Sequence, residues 1–121
     1  MKNNNTESTR YYSDLHEKSV CKELNGTQTP NSGAGRFRKG DVVQQNASLL
    51  IECKTSMSEK NSASIKKEWF EKNKEEAFQT RLNNHCICIN FGPNTQNIYC
   101  IDSKLMKFLV DCLEAEYLYR N

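Results

Sequence analysis

Apolar residues recur along this chain in two rhythms, one helical and one strand-like. Between Asp14 and Leu24, the residues Leu15, Val20, Cys21 and Leu24 fall on one side of a helix. Ser13 or Asp14 is placed to cap that helix, and Asn25-Gly26 to end it. Thr27 to Asn31 suits a short strand, before a loop of Ser32-Gly33-Ala34-Gly35. The clearest hairpin follows: Asp41-Val42-Val43 leads through the polar join 44–48 into Leu49-Leu50-Ile51-Glu52-Cys53-Lys54. After a Ser-rich loop at 55–63, Ile65, Trp69, Phe70, Ala77, Phe78 and Leu82 predict an amphipathic helix over about 65–82. Cys86 to Phe91 reads as a buried strand, Gly92-Pro93-Asn94 as a turn and Ile98 to Ile101 as another strand. Leu105, Phe108, Leu109, Cys112 and Leu113 then predict a closing helix of roughly 103–118 with a core-facing stripe. Helix, three strands, helix, two strands, helix is the order of an α/β domain whose mixed central sheet has helices on both faces. Residues 1–12, rich in Asn, Thr and Ser, read as a flexible N-terminal tail, leaving 13–121 as a single domain.

Composition narrows the functional classes. A chain of 121 residues with 36% hydrophobic and 26% charged side chains holds one small core. No apolar run approaches the roughly 18 to 20 residues of a membrane span, and the segment MKNNNTESTRYYSD has no apolar stretch of a secretory leader. The expectation is a cytoplasmic protein with no membrane partner. A net charge of +2 announces no nucleic-acid partner by itself, but Arg36, Arg38 and Lys39 form a local basic patch beside the glycine loop. Six cysteines are an even number, yet no CxxC pair occurs and four of them fall in strand-like runs. All six are therefore expected as thiols. His85, Cys86, Cys88 and Cys100 lack the short C-x₂₋₄-C spacing of a structural zinc site.

The hairpin carries the chemistry. If it turns at Asn46-Ala47, residues whose numbers sum to 93 face each other, and Asp41 lies opposite Glu52. Cross-strand partners share a face of the sheet, and strand alternation adds Lys54 to that face while turning Ile51 and Cys53 into the core. A one-residue slip would undo the set. Opposed carboxylates are poor neighbours unless a cation neutralises them. Oxygen ligands from one or two carboxylates, completed by phosphate, suit Mg²⁺, and a nearby ammonium can stabilise charge developing on a phosphate. A D…ExK match by itself is also found on exposed hairpins with ordinary solvated charges.

Its context is more specific. Pro30-Asn31-Ser32-Gly33-Ala34-Gly35, Lys39-Gly40-Asp41-Val42 and Ile51-Glu52-Cys53-Lys54-Thr55 occur in order at compact spacing. Over about residues 14–101 this resembles the PD-(D/E)XK nuclease superfamily, and within it the archaeal-type Holliday junction resolvases and their phage-borne relatives. The resemblance implies a restriction-endonuclease-like αβββαβ core and divalent-metal-dependent DNA hydrolysis with Mg²⁺ or Mn²⁺. It implies Asp41 and Glu52 as metal ligands joined by Glu17 from the first helix, Lys54 as the catalytic lysine and Ser32 in a mobile loop beside the scissile phosphate. Gly40 stands where the family pattern often has proline, which leaves the carboxylate intact. A structure-selective resolvase needs two symmetric cuts, so the implied assembly is a homodimer on branched DNA, serving recombination or repair. The superfamily also includes enzymes for flapped, nicked or linear DNA, and a non-catalytic DNA-binding module could keep the same fold. Arg36, Arg38, Lys39 and Lys60 are the expected phosphate contacts. Plainer roles remain for several of these residues. Glu17 sits on a helix with Lys18, Lys22 and Glu23 and suits a solvated face; Ser32 suits a turn; Trp69 has the helical spacing of a core residue; Tyr117 and Tyr119 suit a dimer contact or a partly buried terminus.

Overall fold

The computed structural model describes residues 5–29 and 41–120. Helix α1 (Asn5–Leu24) is followed by strands β1 (Thr27–Gln28), β2 (Asp41–Gln44) and β3 (Leu49–Lys54), helix α2 (Lys67–Gln79), strands β4 (Asn84–Ile89) and β5 (Ile98–Cys100), and helix α3 (Ser103–Arg120). The five strands form one mixed sheet in the order β1-β2-β3-β4-β5. Each neighbouring pair is antiparallel except β3 with β4. Parallel neighbours need a long crossover, and the Ser-rich loop with α2 supplies it. The expected α/β architecture with its α-β-β-β-α-β core is therefore present.

Strand alternation divides the core in two. Val42, Ile51, Cys86 and Cys88 face α1 and pack on Val20, with Cys21, Leu24, Cys53 and Tyr99 around them. Val43, Leu50, Ala77 and Leu82 form a second cluster on the α2 side. The hairpin register is the expected one, pairing Asp41 with Glu52, Val42 with Ile51 and Val43 with Leu50. Its turn holds Ser48 at φ 53°, and the Ser48 amide donates to the Gln45 carbonyl at 3.0 Å.

Three expectations about the helices are corrected. First, α1 begins at Asn5, so residues 5–12 are helical and do not belong to a loose tail. No glycine or proline interrupts 5–24, and extending a helix already anchored by Val20 is far cheaper than nucleating one. It stops where Asn25 takes φ 57° and the Gly26 amide returns to the Cys21 carbonyl at 3.0 Å. A Cβ on Gly26 would lie 2.8 Å from Val42 Cγ1, so this position demands glycine for α1 to close on β2. Second, α2 is shorter than predicted, starting at Lys67 and ending at Gln79. Ile65 precedes it, and Phe78, expected in the core, is 82% exposed. Third, no residue of α3 is buried. Its apolar stripe, Leu105 through Leu113, was expected to cover the sheet, but the two sheet faces are already taken by α1 and α2.

All six cysteines are free thiols, with Cys86 and Cys88 buried and Cys112 exposed. Burial pushes the thiols of Cys86 and Cys88 up to about 12, so these two behave as small apolar groups. No helix among the described residues is long and apolar enough to cross a membrane.

Candidate active site

The first residue of β2 and the last three of β3 meet at one end of the sheet, where the loop into α2 passes over them. Asp41 stands directly opposite Glu52 and is 1% exposed. Two residues on, Lys54 returns to the same face and its Nζ lies 3.2 Å from Glu52 Oε2. The other oxygen, Glu52 Oε1, is buried and has no hydrogen-bond partner. An unpaired buried carboxylate oxygen is costly, and such an atom beside a second carboxylate fits a site for a cation. The Lys54 ammonium is held from above as well, 4.6 Å from the centroid of the Trp69 ring. Lys66 approaches the same ring at 5.9 Å. Beside these groups a groove of about 420 Å³ opens, lined by Lys54, Lys60, Ser62, Ser64 and Trp69. Lys60 is fixed there by its backbone amide, which donates to the Phe91 carbonyl at 2.6 Å.

Glu17 is buried on α1, where its Oε1 accepts from Gln28 Nε2 at 3.0 Å. The same amide donates to Asp14 at 3.0 Å, and it holds the Asp14 carboxyl below the usual range. Cys53, on β3, packs against the α1 cluster at this end of the sheet. Its thiol is pushed far up by burial first, then by Cys88, Glu17 and Asp41. Even so, no group of three His, Cys, Asp or Glu side chains among the described residues is arranged to hold a metal ion. In this arrangement Glu17 Oε1 is engaged by Gln28. The same absence covers His85 with Cys86, Cys88 and Cys100. Ser32, Arg36, Arg38 and Lys39 lie outside the described residues.

The expected trio of Asp41, Glu52 and Lys54 is thus brought together, and Lys60 shares a groove with Lys54. Trp69 is the residue that sequence reasoning placed elsewhere. Its spacing from Ile65 marks it as core, but Ile65 lies before α2, so Trp69 sits in the first turn and leans over Lys54. An available signal was the crowd of lysines and serines around it, unusual company for a buried indole. A further contact also escaped notice: the Thr55 hydroxyl donates to Asn90 Oδ1, tying the end of β3 to the residue after β4.

In comparison with known proteins, no family model matches the chain, and no curated protein or solved structure matches it. The resemblance to the PD-(D/E)XK nucleases thus rests on the sequence motifs alone.

Two facing carboxylates with one free oxygen suit a hard divalent cation that takes its other ligands from water and substrate phosphate. Asp41 and Glu52 would hold it. When bound, such an ion supplies positive charge against the phosphodiester. Lys54, held in position between Glu52 and the Trp69 face, offers a second positive charge on the same side.

Proposed function

We propose that this protein is a divalent-metal-dependent DNA endonuclease using Mg²⁺ or Mn²⁺, structure-selective for branched DNA in the manner of a Holliday junction resolvase and acting as a homodimer. The observation that carries this reading is the Asp41–Glu52 cross-strand pair with Lys54 3.2 Å from Glu52 and a buried, unpartnered Glu52 Oε1. In this reading Asp41 and Glu52 hold the cation and orient the scissile phosphate. Lys54 stabilises charge that grows on the phosphate oxygens. Trp69 fixes the lysine, and Lys60 with the serines of the groove contacts the flanking backbone without reading bases. The branched substrate and the assembly come from the family resemblance, which calls for two cuts related by a twofold axis.

The test is cleavage of labelled four-way junction, flap, nicked and linear duplex of matched sequence, with Mg²⁺ and with EDTA. Cutting of the junction in Mg²⁺ alone is expected. Asp41→Asn, Glu52→Gln and Lys54→Ala should each lose at least roughly 10²- to 10³-fold in rate while still binding the junction. Equal cutting of linear duplex would replace the resolvase by a nuclease of broader substrate. Activity that survives EDTA, or an active Glu52→Gln variant, would remove the assignment of the site.

A further inference from the structure

Helix α3 is an 18-residue arm, about 27 Å long, that buries none of its residues in its own protomer. Yet its composition is not that of a solvated helix. Met106, Leu109, Val110, Leu113 and Tyr117 follow the i, i+3, i+4, i+7, i+11 spacing of a single stripe, and each is between 41% and 61% exposed. Exposed apolar surface of this extent marks an interaction site.

We infer that this stripe is covered by the α3 of a second copy, packed antiparallel. The charges choose both the occupant and its direction. On the helical wheel Lys107 and Glu114, seven residues apart, lie together on one flank of the stripe. In an antiparallel pair related by a twofold axis, like flanks meet. Lys107 of each copy then reaches Glu114 of the other, and two such ion pairs form around an axis passing near Val110. A parallel pair sets that flank instead against Leu105, Leu109, Cys112 and Glu116, whose one acid lies level with Glu114 and about 13 Å along the axis from Lys107. The arm is thus self-complementary in one orientation, as a closed isologous contact requires. Among the described residues, Lys107 pairs with Asp111 and Arg120 with Glu116 within the helix, so Glu114 is uncommitted and the Lys107 ammonium would be shared between Asp111 and the partner's Glu114. The interface is independent of the chemistry at the hairpin and would stand if that reading failed.

The experiment is sedimentation equilibrium of the full chain under reducing conditions, which keep the exposed Cys112 from cross-linking copies. A dimer is expected at micromolar concentration. Leu113→Glu should give a monomer with an unchanged far-ultraviolet circular dichroism spectrum, since Leu113 supports nothing inside the protomer. Lys107→Glu and Glu114→Lys should each weaken the dimer by roughly tenfold, as two ion pairs become two repulsions. The double variant Lys107→Glu, Glu114→Lys should restore wild-type affinity. Three results would overturn the inference: a wild-type monomer throughout, a dimer indifferent to Leu113→Glu, or a charge swap that fails to restore association. A monomer would point to another segment or another protein on the stripe. A dimer unmoved by these variants would place the contact elsewhere.

Discussion

The hairpin β2–β3 and the helix α3 look alike in their share of apolar residues, but the fold uses them in opposite ways. In the hairpin both faces are claimed: Val42 and Ile51 pack under α1, Val43 and Leu50 under α2, and only its end is left for polar chemistry. In α3 nothing is claimed, and Phe108, Leu113 and Tyr117 stand more than half exposed. Strand pairing forces its neighbours together through a ladder of backbone hydrogen bonds, whereas a helix satisfies its own backbone and can project with no partner. An apolar strand in the middle of a sheet is thus core by construction. An apolar helical stripe states only that something must cover it.

The largest way to break this contrast is to truncate one residue from each region. Ile51 is fully buried against the α1 cluster, so Ile51→Ala should lower the unfolding free energy by about 2–5 kcal/mol. Leu113→Ala should change it by less than about 0.5 kcal/mol when unfolding is followed at a dilution that leaves the protomer alone. Repeating both titrations at high protein concentration sharpens the comparison. There the α3 variant should lose stability relative to wild type, because a folded partner then contributes by mass action. If Leu113→Ala costs as much as Ile51→Ala at dilution, α3 packs on its own protomer and the contrast falls.

The sequence was legible where backbone geometry leaves few choices. Once the turn is placed, two-residue alternation settles which side chains share a face, and Asp41, Glu52 and Lys54 follow together. The elements themselves were also readable, since each carries its period over several residues. What could not be read was which stripe meets which surface. Leu105 to Leu113 and Ile65 to Leu82 show similar helical spacing, but a five-stranded sheet has two faces and three helices compete for them. The position of Trp69 was lost for a related reason: a two-residue error in the start of α2 moves an indole from the core to the groove. The extension of α1 through polar residues 5–12 was hidden because that stretch carries no apolar rhythm at all.

A smaller effect probes the hairpin end itself. The Trp69 ring offers its negative face to the Lys54 ammonium, a contact worth roughly 0.5–1 kcal/mol at a partly exposed site. Trp69→Ala should therefore slow cleavage by about 2- to 5-fold at saturating DNA, and Trp69→Phe should recover part of the loss because a benzene face remains. Junction affinity should hardly move in either variant if the indole acts by fixing the lysine. A fall in affinity with an unchanged rate would instead mean that Trp69 contacts DNA directly.

The smallest expected effect lies on the opposite face of the sheet, under α1. His16 is buried with its Nε2 3.4 Å from Cys88 Sγ and its Nδ1 without a partner. Burial lowers its pKa, and Asn97 with Glu23 offset this only in part. A histidine whose folded pKa is depressed favours the fold while neutral. Its contribution is complete above the unfolded value of about 6.5 and is lost as pH falls through that value toward the folded one. Stability should accordingly decline between pH 7 and pH 5, before Asp14 and Glu23, both held low by hydrogen bonds, begin to protonate. His85 is lowered by burial too, although Asp102 opposes the shift, so it adds to the same decline. His16→Gln should flatten the slope of unfolding free energy against pH without abolishing it, and a double variant with His85→Gln should flatten it further. Substitutions in α3 should leave that slope alone when the protomer is dilute, because no histidine lies on the arm. An unchanged slope in His16→Gln would mean that the ring is already open to solvent and that α1 does not seal this face.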